Sequence, residues 1–336
     1  MKTVLVTGAA GFIGSNFLKK ICLREDVKNR YCFVIADALT YAGFYPTIQN
    51  DIEENKHLEF VHLDLRDRDK VEELFVKYAF DGVLNFAAES HVDRSILNPN
   101  IFVETNVLGT LNLLNESKKI FEKRSRFRFL QVSTDEVYGS LSKNDPAFTE
   151  TTLLAPNSPY SASKASADFF VRSFFETFKL PTLITRCSNN YGPYQFPEKL
   201  IPLMIHNARN EIPLPVYGKG ENIRDWIFVD DHNLGVWEVY ERGSPGEVYN
   251  LGGDSEMINI DIVKMILRHM KKSESLISFV EDRKGHDFRY AMNFSKMEKE
   301  FGWRPKVNFE EGLVRTIAWY EENTKWVQSV KEKEKC

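Results

Sequence analysis

Cysteine is scarce: the 336 residues carry four, Cys22, Cys32, Cys187 and Cys336, with no C-x-x-C spacing and no histidine beside them at metal-ligand spacing. A disulfide scaffold and a structural zinc site are thereby excluded, and the thiols read as reduced in a cytoplasmic protein. No apolar run approaches the roughly 20 residues a membrane-spanning helix needs. The densest aromatic stretch, Phe169 to Phe178, is broken by Arg172, Ser173, Glu176 and Thr177. Met1 to Gly8 hold no apolar core followed by a small-residue cleavage site, so no secretory leader is expected. Positive charge is not in excess either. The 44 basic residues stand against 48 acidic ones, a net charge of -4, which argues against a nucleic-acid partner.

What is present suits a large core: 43% hydrophobic residues, with 25 Phe, 13 Tyr and 5 Trp. The length allows one large domain or two coupled ones. Short apolar runs recur at Val4 to Val6, Cys32 to Ala36, Phe60 to Leu63, Val83 to Ala87, Phe129 to Val132 and Leu183 to Thr185. Each reads as a strand buried on both faces. Between them lie segments with helical spacing: Ile13 to Arg24, Asp69 to Tyr78, Asn100 to Phe121 and Ser161 to Phe178. This alternation predicts an α/β fold, a doubly wound parallel sheet with helices on both faces, over residues 1–187.

After Arg186 the chain is punctuated by Pro193, Pro197, Pro202, Pro213 and Pro215. A smaller α/β lobe is expected over 188–330, part of it free to return to the first domain. Helices Ile260 to Met270 and Phe309 to Asn323 and strands Val248 to Leu251 and Ile277 to Val280 complete it. Residues 331–336 alternate Lys and Glu and are expected to form a frayed tail.

Strand Thr3 to Thr7 runs into Gly8-Ala9-Ala10-Gly11-Phe12-Ile13-Gly14 and then a helix. A dinucleotide needs this arrangement. Glycine permits the tight turn and lets the backbone approach a pyrophosphate, whose charge the helix N-terminal amides then meet. Such a context makes the parallel sheet Rossmann-type. Asp37 ends the second strand about 20 residues beyond Gly14, where a carboxylate would bond the adenosine ribose hydroxyls and repel a 2'-phosphate. That favours NAD over NADP, although Asp also starts turns.

Tyr160 and Lys164 stand one helical turn apart and share a face. An ammonium beside the phenol, with a positive nicotinamide nearby, is expected to bring the Tyr160 pKa down toward neutrality, so that it can take a proton from a sugar hydroxyl. On spacing alone the pair could equally be a surface couple. The fifth strand ends in Ser133-Thr134-Asp135-Glu136. Two adjacent acids there could be a helix cap and a solvated neighbour. Elimination of water, however, needs one group to remove a C–H proton and another to protonate the departing hydroxyl, and two carboxyls in different environments can hold different protonation states.

With these elements the chain resembles an extended short-chain dehydrogenase/reductase, and among those the dTDP-glucose 4,6-dehydratase family. The likeness runs from Gly8 to about Val330. It includes Leu39-Thr40-Tyr41-Ala42-Gly43, the run Ala87 to Ser95, Thr134-Asp135-Glu136, Ser188 to Pro193, Phe196 to Leu200, Gly218-Lys219-Gly220, Arg224-Asp225-Trp226 and Gly285-His286-Asp287. Ala38, where many relatives carry Lys, and the segment between Ala42 and Glu59 depart from the pattern, which touches cofactor affinity.

The resemblance implies a nucleotide-sugar substrate and an NAD that is reduced and reoxidised within each turnover. Tyr160 would deprotonate the C4 hydroxyl, with Thr134 holding that oxygen and Lys164 supporting the phenolate. Glu136 would take the C5 proton and Asp135 protonate the C6 hydroxyl. Phe12, Ile13, Leu39, Thr40, Asp64 and Leu65 would contact the cofactor, as would Ala87, Ala88 and Ser90. For the substrate it points to Ser90, Asn190, Glu198, Lys199 and Leu200, then to Pro215, Tyr217, Arg224, Asn259, Arg283 and His286. Lys199 and Arg224 are also the cations that an otherwise acidic protein would bring to a diphosphate, if they are not ordinary surface charge. His286 could equally be a structural histidine.

dTDP-glucose leads as substrate, with UDP-glucose, CDP-glucose or UDP-N-acetylglucosamine behind it. A 4-epimerase or decarboxylase would keep the fold but has no use for the carboxyl pair, and a silent NAD-dependent sensor or scaffold would not need intact Tyr160, Lys164, Asp135 and Glu136. Metal is expected to play no part. A homodimer is expected through the helices 100–121 and 161–178, whose Phe169, Phe170, Phe174, Phe175 and Phe178 exceed what one helix face needs.

Overall fold

The computed structural model describes residues 1–124 and 126–335, with side chains to Lys333. Twelve strands are described: β1 Lys2–Thr7, β2 Tyr31–Asp37, β3 Leu58–His62, β4 Gly82–Asn85, β5 Arg128–Thr134, β6 Thr182–Cys187, β7 Asn189–Tyr191, β8 Leu214–Tyr217, β9 Ile223–Phe228, β10 Val248–Leu251, β11 Glu256–Ile258 and β12 Ile277–Val280. Seven of them form one wholly parallel sheet in the order β10-β6-β5-β4-β1-β2-β3. The order reverses between β1 and β4, and in such sheets a crevice opens beyond the carboxyl ends of the strands at that point.

Strand periodicity divides the core. Val4, Val6, Phe33, Ile35 and Leu84 face one layer of helices, while Leu5, Val34, Ala36 and Val83 face the other. Each fully buried side chain of this kind contributes about 1.5–3 kcal/mol. Phe12–Phe17, continued by a π-helical turn over Leu18–Cys22, packs on the first face. Arg68–Lys77, Thr110–Phe121 and Pro159–Phe178 cover the second.

One expectation about the later chain changes. Strand β10 does not complete the smaller lobe, and with the helix Val229–Arg242 it is the part that returns to the first domain. Val236, Trp237, Val239 and Tyr240 pack into the first core, and β10 pairs with β6 as the outermost parallel strand. Apolar pattern reports burial but not which sheet receives it. The smaller lobe is built on its own core, in which Ile201, Met204 and Ile205 meet Trp226, Ile262, Ile266 and Leu313, with β7-β9-β11 and β8-β12 as small sheets.

The frayed tail is also corrected. Thr324–Lys335 is helical, and the Lys333 ammonium donates to the carbonyls of Leu39 at 3.0 Å and of Thr40 and Gly43. A Lys/Glu-rich end can still be held by its few apolar and long side chains. Cys336 lies outside the described residues.

The aromatic helix divides as well. Phe174 is buried and Phe175 covers Gly246. Phe169 stays 58% exposed, with Phe170 and Phe178 also open, and Leu97, Val103 and Leu108 are exposed on the neighbouring helical run. Among the described residues no helix is long and apolar enough to cross a membrane, and no cluster of His, Cys, Asp and Glu could hold a metal ion.

Candidate active site

A cleft beyond the carboxyl ends of β1, β2, β4, β5 and β6 is lined by the glycine loop, Asp37, Thr40, Asp64 and Leu65, then by Ala87, Ala88 and Ser90. At its other end stand Thr134, Asp135, Glu136, Tyr160, Lys164, Asn190, Glu198 and Lys199. The dinucleotide end is backbone. Gly8 has φ +71°, and a Cβ there would sit 2.6 Å from the backbone of Ala87. A Cβ on Gly14 would sit 2.4 Å from the Gly8 carbonyl. Gly11 precedes the helix without any side-chain cap, leaving its first amides to a ligand.

Asp37 is buried, taking the amide of Ala10 at 2.9 Å on one oxygen and that of Leu39 at 2.8 Å on the other. A carboxylate oxygen has two lone pairs, so both can still accept a ribose hydroxyl. Desolvation raises its pKa, opposed by those amides and by Lys333. These residues fit an NAD. Leu39 contributes its backbone with φ +52° and does not line the cleft.

At the sugar end the helix Pro159–Phe178 starts where it must. Ser158 and Ser161 form a reciprocal capping box, each hydroxyl accepting the other's amide at 3.0 Å, and Pro159 takes the first turn. Tyr160 therefore falls in the first turn with Lys164 one turn on. Both are buried, and Phe102 meets the Tyr160 ring edge-on at 6.3 Å. The protein's own groups do not lower the Tyr160 pKa, so the expected fall would have to come from the nicotinamide charge. Burial raises it well above the ordinary value, with Glu136 adding to the rise, while a hydrogen bond with Thr134 opposes it. Lys164 donates to the Val132 carbonyl at 2.8 Å, and desolvation lowers its own pKa. Loss of solvent and a nearby carboxylate account for the rise in Tyr160.

The two carboxyls do differ. Asp135, 2% exposed, is pushed well above the usual range by burial, then by Glu136 and Asp225, and its Oδ2 has no partner. Glu136 is raised by burial but opposed by three cations, Arg224, Lys199 and Arg283. Asp135 is thus the better proton holder and Glu136 the better carboxylate. Thr134 donates to Asp135 Oδ1 at 3.2 Å and accepts the Glu136 amide at 3.3 Å, fixing both residues at the strand end.

The smaller lobe brings its residues from further away. Lys199 donates to the Ser90 carbonyl at 2.8 Å and pairs with Glu198 at 3.9 Å. Arg224 is no surface charge. It is buried on β9, holds the Asp287 and Phe288 carbonyls, and stacks on Tyr290 at 4.3 Å. Arg283 grips Asp93 with two hydrogen bonds of 2.6 and 2.9 Å and lies over Tyr217. His286 pairs with Asp282 at 2.6 Å, and burial lowers its pKa. Asn190 Oδ1 and Asn259 Oδ1 are buried without partners. Leu200 opens a helix and packs on the lobe's core, while Pro215 and Tyr217 sit on β8. None of Leu200, Pro215, Tyr217, Arg224, Asn259, Arg283 and His286 lines the cleft itself.

Asn106 was not legible in the sequence. A π-helical stretch, Val103–Gly109, interrupts the helical run and turns its amide inward, where it pairs with the Glu89 backbone at 2.8 and 3.0 Å and donates to Ser163 at 2.8 Å. It ties the Ala88–Ser90 loop to the helix of Tyr160. Arg66, Thr105 and Gln195 also line the cleft without a motif to announce them, as does Glu89, which lies in the Ala87–Ser95 run but to which the resemblance assigns no contact.

Comparison with known proteins agrees with this geometry. The family model described as GDP-mannose 4,6 dehydratase matches residues 5–316. A dTDP-glucose 4,6-dehydratase of Xanthomonas campestris pv. campestris is 50% identical over 344 residues, covering 98% of this chain and 96% of that protein. The crystal structure of a dTDP-glucose 4,6-dehydratase from Bacillus anthracis in complex with NAD superposes with a TM-score of 0.88 at 43% identity, covering 98% of this chain and all of that one. DesIV, the dTDP-glucose 4,6-dehydratase of Streptomyces venezuelae, also solved with NAD, gives 0.91 at 42%, covering 98% and 99%. With half of its residues identical to one of these proteins along nearly its whole length, and the family model matching residues 5–316, the chain belongs to the dTDP-glucose 4,6-dehydratase family of extended short-chain dehydrogenases/reductases.

Proposed function

We propose that the protein is an NAD-dependent hydro-lyase that converts dTDP-glucose to dTDP-4-keto-6-deoxyglucose, the cofactor being retained through the turnover. The observation that carries the reading is the unequal pair Asp135 and Glu136 beside Tyr160, at the end of a cleft whose other end fits a dinucleotide. When bound, NAD supplies an acceptor for the C4 hydride and the donor that later reduces C6. Tyr160 takes the proton of the C4 hydroxyl, and Thr134 holds that oxygen. Lys164 and the nicotinamide charge together lower the cost of the phenolate, which the protein alone leaves high. The 4-ketone acidifies C5–H, Glu136 accepts that proton, and Asp135 delivers its own to the leaving C6 hydroxyl; as hydride returns to C6 a proton returns to C5 from Glu136, and the proton gained by Tyr160 and that lost by Asp135 exchange with solvent.

Lys199, which lines the cleft, provides positive charge for the diphosphate, and together with Arg224 and Arg283 behind it opposes the rise in the Glu136 pKa. The apolar face of Val103, Leu108, Phe169, Phe170 and Phe178 supports the homodimer in this reading. The free thiols of Cys22, Cys32 and Cys187 accord with a cytoplasmic setting.

Two measurements test the reading. Incubation with dTDP-glucose, UDP-glucose, CDP-glucose and UDP-N-acetylglucosamine is expected to remove the mass of one water from the first in preference to the others. With substrate deuterated at C4, the label is expected at C6 of the product even in excess unlabelled NADH. Washout of deuterium into the NADH pool would make the protein an ordinary sugar dehydrogenase.

A further inference from the structure

The last helix of the chain reaches back to the adenosine end of the cleft. Ala38, Thr40, Ala42 and Gly43 line that end. Their loop is braced from inside by the Leu39 amide on Asp37, and by the Phe44 amide, which donates to Ala10 of the glycine loop at 2.9 Å. Gly43 lies so close that a Cβ there would stand 2.5 Å from Asp37 Oδ1, so a shift of this loop shifts the support of that carboxylate. Three of the loop's carbonyls, those of Leu39, Thr40 and Gly43, converge on one ammonium, that of Lys333, nearly 300 residues later.

The helix that carries Lys333 is itself seated across both parts of the molecule. Trp326 donates to Thr47 Oγ1 at 2.9 Å and packs against Phe44, Tyr194 and Trp319. Lys331 meets His206, on the helix that begins next to Lys199, at 2.8 Å. The strap thus joins the cofactor loop to the substrate lobe.

We infer that Lys333 is a positioning residue for the retained cofactor: its ammonium ties down the Leu39–Gly43 loop and so slows the release of NAD from Asp37. The inference rests on the NAD reading above. A charge-assisted cluster of this kind is worth more than neutral hydrogen bonds. No other side chain donates to these three carbonyls among the described contacts. The Asp37 carboxylate and the Lys333 ammonium also attract one another, each favouring the other's charge against the cost of burial.

The test uses the full chain loaded with NADH and chased with excess NAD, following release by fluorescence. Lys333→Met, which keeps the apolar stem, is expected to release the cofactor at least about tenfold faster than the native protein. Lys333→Arg, which keeps the charge and the donors, is expected to stay within about threefold. The thermal midpoint of the cofactor-free protein is measured alongside. Release by Lys333→Met within about twofold of native, or faster release fully matched by a collapse of the cofactor-free protein, overturns the inference. Failure of the native chain to bind NADH would instead overturn the cofactor reading, so the two failures are distinct.

Discussion

At the dinucleotide end of the cleft the chain works with backbone: glycines that admit a close approach, uncapped amides, and one carboxylate held by two amides. At the sugar end it works with side chains, and these come from β5, from the helix Pro159–Phe178, and from the cations Lys199, Arg224 and Arg283 of the later chain. The first end is a local structure that one stretch of sequence can specify. The second is an electrostatic balance, in which a raised acid and a charge-supported base arise only when distant segments are packed together. Local sites tolerate change around them and fail when a glycine gains a side chain. Balanced sites fail by degrees as each cation is removed.

Four outcomes sharpen that contrast. The largest belongs to the sugar end: Glu136→Gln is expected to cut dehydration by about 10²–10⁴-fold, the range of one acid–base group. NADH absorbance on mixing with substrate should persist, because Glu136 acts after the ketone has formed. Equal loss of both steps in a folded variant would remove its assigned role.

Next comes the dinucleotide end. Gly8→Ala must hold an alanine at φ +71° against the Ala87 backbone, a strain of about 1–3 kcal/mol, or roughly tenfold to a hundredfold in NAD affinity if the loop yields to relieve it. Calorimetric titration of the cofactor-free variant checks this, and native affinity would show that the loop is not the pyrophosphate cradle.

A smaller effect is graded by pH. Glu136 must be ionised to act, its pKa is raised by burial, and Arg224 is the first of the charges lowering it. Activity should therefore fall as pH drops through a pKa above that of an ordinary glutamate. Arg224→Gln should move this acid limb to still higher pH and, because the same guanidinium also lowers the Asp135 pKa, move the alkaline limb set by the Asp135 proton in the same direction. An unmoved acid limb in the kcat profile would separate Arg224 from the base.

The smallest effect on chemistry is expected at the apolar face. Phe169→Asp touches a side chain that is 58% exposed, and surface substitutions usually change monomer stability by no more than about 0.5 kcal/mol. Light scattering should nevertheless show the native dimer mass falling to that of the monomer. A native chain that is already monomeric at micromolar concentration would refute the dimer.

Most of the residues that the fold brings together in the cleft were legible because they sit at strand ends and one helix start, where glycine spacing, Asp37, the Tyr160–Lys164 turn and the Thr134-Asp135-Glu136 run occur in short strings. The protonation of Tyr160 was not legible, since the spacing shows the ammonium but not the loss of solvent or the neighbouring Glu136. Asn106 was hidden because a π-helical stretch, which no residue type announces, changes the face on which a side chain emerges. The destination of Val248–Leu251 was hidden for a similar reason: an apolar strand seeks an edge, and two sheets offered one.

By itself the sequence determined the parallel α/β order and the glycine loop, because strand and helix periods and glycine's freedom are properties of neighbouring residues, and its short strings named the groups proposed to react. Only the tertiary structure decided which carboxyl keeps a proton, how Arg224, Lys199 and Arg283 converge on Glu136, and that the charged end of the chain closes on the cofactor loop through Lys333. Those outcomes depend on burial and on distances between groups far apart in the chain, and desolvation and Coulomb energy are fixed only once the chain has folded.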